Sequence, residues 1–408
     1  LILTLNSGTG VAVEIIVQPG ESIQAAINNA SSGDEIVIGP GNYTENIMIT
    51  QDDLVIRSET GNPEDTIIGA SNSSVNALYV RADNVTVSGF KLGAAEYRNL
   101  TGIHMAACSN CTISNNDLSE NYLGLSLSSS KNNTISNNSM NLNENYGIHL
   151  VRSENNILSN NTVNSNAHGI VLESNSSGNN LTGNLANSNR GFGFYLVNSG
   201  NDSFSNNTAI KNNMGIYVLD SNMSTISGNN FSENINYGIW LSRSNHNTIS
   251  GNTVNNMNYG IYLDASDNNR LYGNLIAANA ESGLSMCPAC DNNTVFNNYF
   301  NNAYNTDIGN RKNHWNIIRT EGKNIVGGPY LAGNFWANPE GTGFSETAPD
   351  ADKDGIADRA YNETNVTDYL PLVPVPEPEP EFPLETTIIV PSNNLSSNNL
   401  SSNNLSSN

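Results

Sequence analysis

The chain has 408 residues, with 16 Lys and Arg against 38 Asp and Glu, a formal net charge of -22 and a pI near 4.4. Only 13% of residues are charged, so the acidity reflects scarce Lys and Arg rather than acidic runs, and it argues against nucleic acid as a partner. Calcium and neutral polymers suit this balance better, and with no apolar run of about 18 residues no membrane-spanning helix is encoded.

In chain order, "LILTLNSGTGVAVE" opens without Met, and residues 1–13 read either as the remnant of a secretory h-region ending near Ala12 or as an arbitrary cut. "QPGESIQAAINNASSGDEIVIGPGNYTENIMI" then predicts a strand, a short helix with Ile23, Ala26, Ile27 and Ala30 on one face, and further strands. A helix lying over the first coil protects an open sheet edge from edge-to-edge pairing. Runs at 47–49, 54–56, 66–68, 78–80 and 85–87 continue the β pattern, and "GAAEYRNLT" (93–101) reads as a protruding loop.

From here the chain repeats. The Gly of "YGI" recurs at Gly102, Gly124, Gly147, Gly169, Gly193, Gly215, Gly238, Gly260 and Gly283, spaced by 22 to 24 residues. So strict a period argues against disorder despite the heavy use of Asn and Ser. Each copy holds three short β-prone runs. The first is Gly-Ile-x-Leu, with alternating apolar positions such as Ile148 and Leu150; the second centres on Ile113, Ile135 and Leu158, and the third on Leu118, Met140 and Val163. The period leaves no room for a helix. The prediction is an all-β fold, a right-handed parallel β-helix over 14–330 with three strands per coil and a short N-terminal capping helix, roughly 13 coils and about 60 Å long.

Three residues after each second-strand core residue stands an Asn, from Asn116, Asn138 and Asn161 to Asn274 and Asn298. Asn tolerates the left-handed backbone of a sharp corner, and stacked amides hydrogen-bond along the axis, so these are structural in the first instance.

The outward position of the first strand reads His104, Ser126, His149, Val171, Tyr195, Tyr217, Trp240, Tyr262, Ser285. Four successive aromatics make either a rail whose ring faces meet sugar rings or a structural stack. Asp220, Arg243 and Asp264 lie beside it on three consecutive coils, as an ion-pair ladder or as part of the same carbohydrate site. His149, Arg152 and Glu173 form a second cluster. Neither cluster completes a general acid-base set, so no catalytic residue is nominated.

The chain resembles the NosD-like and CASH-domain β-helix families of the pectin-lyase-like superfamily, over about residues 14–373. The resemblance rests on "GDEIVIGPGNYTENI", on the "YGIxLxxSxNNTISxN" coils, and on a tail "NIVGGPYLAGNFWANPEGTG…DADKDGIADRAY…DYLPLV" similar to archaeal surface proteins of this group. It implies carbohydrate binding or, in lyase and hydrolase relatives, catalysis on polysaccharide; the NosD label implies copper. Copper is disfavoured by the residues: His104 and His149 stand two coils apart, about 10 Å, and Cys108 and Cys287 about 40 Å.

"CSNC" (Cys108, Cys111) and "CPAC" (Cys287, Cys290) are expected to be local disulfides at the two ends of the regular array, with free thiols as the alternative. In "DADKDGIAD", Asp350, Asp352, Asp354 and Gly355 match positions 1, 3, 5 and 6 of a calcium loop, Ile356 offers a carbonyl at 7 and Asp358 fills 9. Tyr361 stands where a bidentate Glu belongs, so the expectation is a calcium-braced loop rather than an EF-hand, within a terminal cap over 331–373. Sequons such as Asn42, Asn84, Asn132, Asn160, Asn222 and Asn362 permit glycosylation. Residues 374–408 read as a Pro/Glu spacer and a low-complexity tail, whose "PEFP" is similar to sorting tails that end in an anchor.

The functional expectation is an extracellular or cell-surface β-helix that binds polysaccharide or acts in the cell envelope. The alternatives are a polysaccharide lyase, hydrolase or epimerase, and a NosD-like accessory protein for copper-site assembly.

Overall fold

The structure, a computed structural model, describes residues 12–72, 75–93 and 101–375. Most of the 1–13 stretch, most of the 93–101 segment and nearly all of 374–408 lie outside the described residues. The repeats wind into a parallel β-helix. One side is a 12-stranded parallel sheet built mainly from six-residue strands such as Tyr146–Val151, Met214–Leu219 and Tyr237–Ser242. A second side is a 13-stranded parallel sheet of shorter strands such as Thr134–Ser136 and Thr248–Ser250. The third side has strands toward its two ends, among them Thr66–Gly69 and Leu275–Ala277, and thins in the middle to single bridges such as Ser139 to Thr162.

Register explains the repeat. Ile216 pairs with Ile239 and Ile239 with Ile261, so each Gly-Ile-x-Leu places its Ile and Leu in one continuous, fully buried column. The Gly before each Ile has no room for a side chain. A Cβ on Gly215 would lie 2.6 Å from the Gly238 carbonyl oxygen and 2.8 Å from the Phe231 Cβ. The recurring Gly of "YGI" therefore marks where a coil bends against the backbone of the next.

The asparagines form buried ladders. Asn138 Oδ1 accepts from the backbone N (3.0 Å) and Nδ2 (3.1 Å) of Asn116, while its own Nδ2 donates to Ile113 O (2.8 Å) and to Asn161 Oδ1 (3.1 Å). The corner's left-handed residue is not this Asn but the one before it: Asn137, Asn160 and Asn206 in some coils, Gly228, Gly251 and Gly273 in others, all with φ between 54° and 67°. One residue takes the strained backbone, and the next turns its amide inward to satisfy donors and acceptors that the bend strips from the sheets. Two further Asn ladders escape the sequence reading, one through Asn133, Asn156 and Asn179 and one through Asn143, Asn166 and Asn189, together with a serine file from Ser130 to Ser266.

The N-terminal helix, Ile23–Asn29, buries Ile23, Ala26 and Ile27, whereas Ala30 is its C-cap. Ser22 Oγ accepts from Ala25 N at 3.1 Å, and Glu45 receives the N–H groups of Ile23 (2.9 Å) and Gln24 (3.0 Å), so the free donors of its first turn are met by side chains. At the other end, Phe335–Ala337 pairs in parallel with Tyr299–Asn301, so the solenoid runs past residue 330 into the expected cap. Solenoid and cap form a single compact unit ending at Val375. Their knot is Asp368 of "DYLPLV", fully buried, which accepts from Asn334 N (2.7 Å), Trp336 Nε1 (2.9 Å) and Leu370 N (3.0 Å).

Candidate functional site

The outward file of the 12-stranded sheet is in the register expected: Tyr195, Tyr217, Trp240 and Tyr262 pair strand to strand without a slip. A second file runs beside it, through Tyr146, His168, Phe192, Met214, Tyr237 and Tyr259. The bend at each Gly lets the residue before it turn outward as well. Tyr146 meets His149 at 4.7 Å, Phe192 meets Tyr195 at 4.7 Å and Tyr237 meets Trp240 at 4.8 Å between ring centroids. The signal for this second file was the first letter of the "YGI" motif itself.

The rings do not form a rail of faces. Tyr195 and Tyr217 lie 5.3 Å apart with planes 3° from parallel, and Tyr237 and Tyr259 are 5.2 Å apart at 14°. In these two pairs the ring faces meet each other along the axis, so edges rather than faces remain for a ligand. Tyr262 breaks the pattern, perpendicular to Trp240 at 89° and T-shaped to Tyr237 and Tyr259. Trp240 Nε1 is buried without a hydrogen-bond partner among the described residues, so the indole contributes surface rather than a donor. Burial, and secondarily neighbouring carboxylates such as Glu173 and Asp264, raise the phenols of Tyr195 and Tyr262 above their ordinary range, which keeps them neutral hydroxyls.

The charged border is two groups rather than one ladder. Arg243 forks onto Asp220, with Nε to Oδ1 and Nη2 to Oδ2 both at 2.8 Å. Asp264 is not in their row: it pairs with Ser242, one residue earlier in the strand, and accepts that hydroxyl at 3.1 Å. On the opposite border Asn213, Asn236 and Asn258 form a half-exposed amide file, linked at 2.6 and 3.1 Å.

Toward the N-terminal end of the same face, His149 Nε2 lies 3.2 Å from Glu173 Oε1 but out of hydrogen-bond alignment, and the Tyr146 ring touches both His149 and His168. Burial lowers the pKa of His104, His149 and His168, with Glu173 opposing the effect at His149. Arg152 sits at an exposed left-handed corner beyond this group.

In the terminal cap, carboxylate oxygens of Asp350, Asp352 and Asp354 lie within 4.8 Å of one another. Asp350 accepts from Gly355 N (2.9 Å) and Asp354 from Ile356 N (2.9 Å), which curls the loop around the three acids. Asp358 accepts from Ala351 N at 2.9 Å, and Arg319 pairs with Asp354. Gly355 and Ala357 exchange backbone bonds with Val373 and Pro371, so the loop clamps the terminal segment. Oxygen donors gathered at this distance fit a hard divalent cation, and Ile356 holds the position expected to offer a carbonyl.

All four cysteines carry free thiols, and the two motifs are out of phase. Cys108 N donates to Ser130 Oγ (3.3 Å) and Cys111 N to Asn133 Oδ1 (2.8 Å), so this pair heads the serine file and an Asn ladder. Cys290, three residues before Asn293, ends the serine file instead, and Cys287 lies outside it, with Sγ 3.1 Å from that of Cys290. Burial is the main cause that pushes the Cys290 thiol up to about 12.

A many-coiled solenoid of parallel rungs, sealed by a helix at one end and bearing an aromatic file on its longest-stranded sheet, defines a parallel β-helix protein. The chain belongs to the NosD family: the family model described as periplasmic copper-binding protein (NosD) matches residues 27–203 and 174–341. It is 32% identical over 129 residues to a cell surface glycoprotein of Methanothermus fervidus, a stretch covering 30% of this chain and only 20% of that protein. Among solved structures it is similar to the A-module of a mannuronan C-5 epimerase of Azotobacter vinelandii (TM-score 0.56, 16% identity, 72% of this chain and 91% of that one). It is also similar to the Dettilon tailspike protein (TM-score 0.58, 16% identity, 73% and 70%). At such identities the likeness is one of fold. No helix among the described residues is long and apolar enough to cross a membrane.

The family description names copper, and the residues do not fit it. Among the described residues the one group of three or more His, Cys, Asp or Glu side chains able to share an ion is the Asp350, Asp352, Asp354 set, whose donors are hard oxygens.

Proposed function

We propose that this protein is an exported, cell-surface β-helix that binds polysaccharide along the aromatic face of its 12-stranded sheet, with Tyr195, Tyr217, Trp240 and Tyr262 in one file and Tyr237 and Tyr259 in the next. The observation that carries the reading is the doubled file of half-buried aromatic rings with an amide file along its border. Such a surface offers apolar contact and many neutral hydrogen-bonding groups at once, the chemistry that a sugar polymer requires. The cell-surface and periplasmic names of its relatives agree with export. In a panel of immobilised polysaccharides, retention that is weakened in Trp240→Ala and Tyr217→Phe supports the reading; equal retention of these variants and the parent refutes it. Calcium at Asp350, Asp352, Asp354 and Asp358 is part of the proposal, as a brace for the cap.

A second reading, an enzyme acting on polysaccharide, is favoured by one observation: Tyr146, His149, His168 and Glu173 cluster on the same face, where a bound chain would reach them. Release of unsaturated or reducing ends, abolished in His149→Gln, would establish it.

A further inference from the structure

Resting on that reading of the aromatic face, we infer that its ligand is an uncharged, hydroxyl-rich polysaccharide lying along the solenoid axis, and not a uronic-acid polymer. Between residues 190 and 264 the chain has three cations, Arg190, Lys211 and Arg243. Each is already engaged. Arg243 is held in the bidentate pair with Asp220, Arg190 Nη2 donates to the Glu144 carbonyl oxygen at 2.7 Å, and Lys211 lies 4.0 Å from Glu233. With both guanidiniums held and only the exposed ammonium of Lys211 loosely paired, this stretch cannot offer a cation to the carboxylate of each sugar, and recognition of an anionic repeat depends on such pairing.

The remaining charge points the same way. Asp264 accepts a hydroxyl from Ser242, and the nearby Arg243 is held by its fork onto Asp220. Asp264, Asp220 and Glu173 each contribute to raising neighbouring phenols, with Arg243 opposing them at Tyr217, so three carboxylates face an arriving carboxylate against one guanidinium that is already paired. The groups that remain are phenol hydroxyls and the amides of Asn213, Asn236 and Asn258, which donate and accept without charge.

Orientation follows from the register. Tyr195, Tyr217, Trp240 and Tyr262 recur once per coil, at about the 4.8 Å spacing of paired strands. One pyranose ring with its linkage oxygen occupies nearly that length. A chain parallel to the axis therefore meets an aromatic ring at each of these coils and a border amide at three of them, whereas a chain across the sheet leaves the files after one or two.

The test is affinity electrophoresis of the full chain through gels holding a neutral β-linked glucan, a neutral mannan or polymannuronate, at low and at high salt. The expected result is retardation by a neutral polymer that salt leaves unchanged, about tenfold weaker in Tyr195→Phe, which keeps the stacked ring and removes only the hydroxyl. Asp220→Asn, which frees Arg243, is expected to add salt-sensitive retardation by polymannuronate. Retardation of the parent protein by polymannuronate but by neither neutral polymer would overturn the assignment of ligand class while leaving glycan binding standing. No retardation by any polymer would remove the reading on which it rests.

Discussion

Asn179 donates both its backbone N–H (2.7 Å) and its side-chain amide (3.2 Å) to one oxygen of Asp202, and the other oxygen of that buried carboxyl has no partner among the described residues. Asp202 holds an Asn position in the second ladder. Two other members of the ladder, Asn179 on one side and Asn247 beyond Ser224 on the other, use the corresponding group to donate to Ser153 O (3.1 Å) and Ser221 O (3.2 Å). A protonated carboxyl restores that donor, and burial, opposed by the Asn179 bonds, raises the group to about 7.

Stability should therefore fall as pH rises from about 4, where the unfolded carboxyl ionises, to about 7, and level off above it. Asp368 titrates in the same range with the same sign, raised by burial to about 7 against three donors, so the parent profile alone is ambiguous. The difference between Asp202→Asn and the parent isolates Asp202. The variant is expected to melt higher at pH 8 and nearly level with the parent at pH 4; a difference independent of pH would show that the carboxyl is not held neutral.

The two glycine columns should respond oppositely. Gly215→Ala forces a Cβ against the Gly238 carbonyl and is expected to cost about 3 kcal/mol or prevent folding. Gly251, at a left-handed corner with nothing nearer than 3.7 Å to an added Cβ, occupies the position that Asn137, Asn160 and Asn206 hold in other coils. Gly251→Asn should lie within about 1 kcal/mol of the parent by denaturant unfolding. Equal effects would mean that close packing between coils is not what selects Gly in "YGI".

Calcium is expected to raise the melting temperature of the parent and to slow proteolysis within the terminal cap, since an ion bound only by the folded loop adds to its stability. Asp352→Asn, at the exposed member of the trio, should abolish both responses without unfolding the chain. Identical melting in calcium and in chelator would sink the brace.

For the thiols, the contact between Cys287 and Cys290 predicts a bridge in protein isolated under air, seen as an intact mass lower by two hydrogens and as no alkylation of the half-exposed Cys287 before reduction. Ready alkylation of Cys287 in the untreated protein would count against it. Cys108 and Cys111, both buried, should resist the reagent until the chain unfolds.

Periodicity alone determined the fold class, the strand registers and the composition of the outward aromatic file, because a coil of fixed length stacks equal positions of successive repeats. It also placed the first Asn ladder, although with the left-handed residue one position late. What only the tertiary structure decided depends on angles and on single-residue offsets. The ring planes decided between the two readings of the aromatic file in favour of rings stacked on one another, Asp264 fell one residue short of the Arg243 row, and the two Cys-x-x-Cys motifs proved to be out of phase. A repeating text specifies which residues become neighbours along the axis; the bend at each Gly and the packing of ring on ring decide which way those neighbours face.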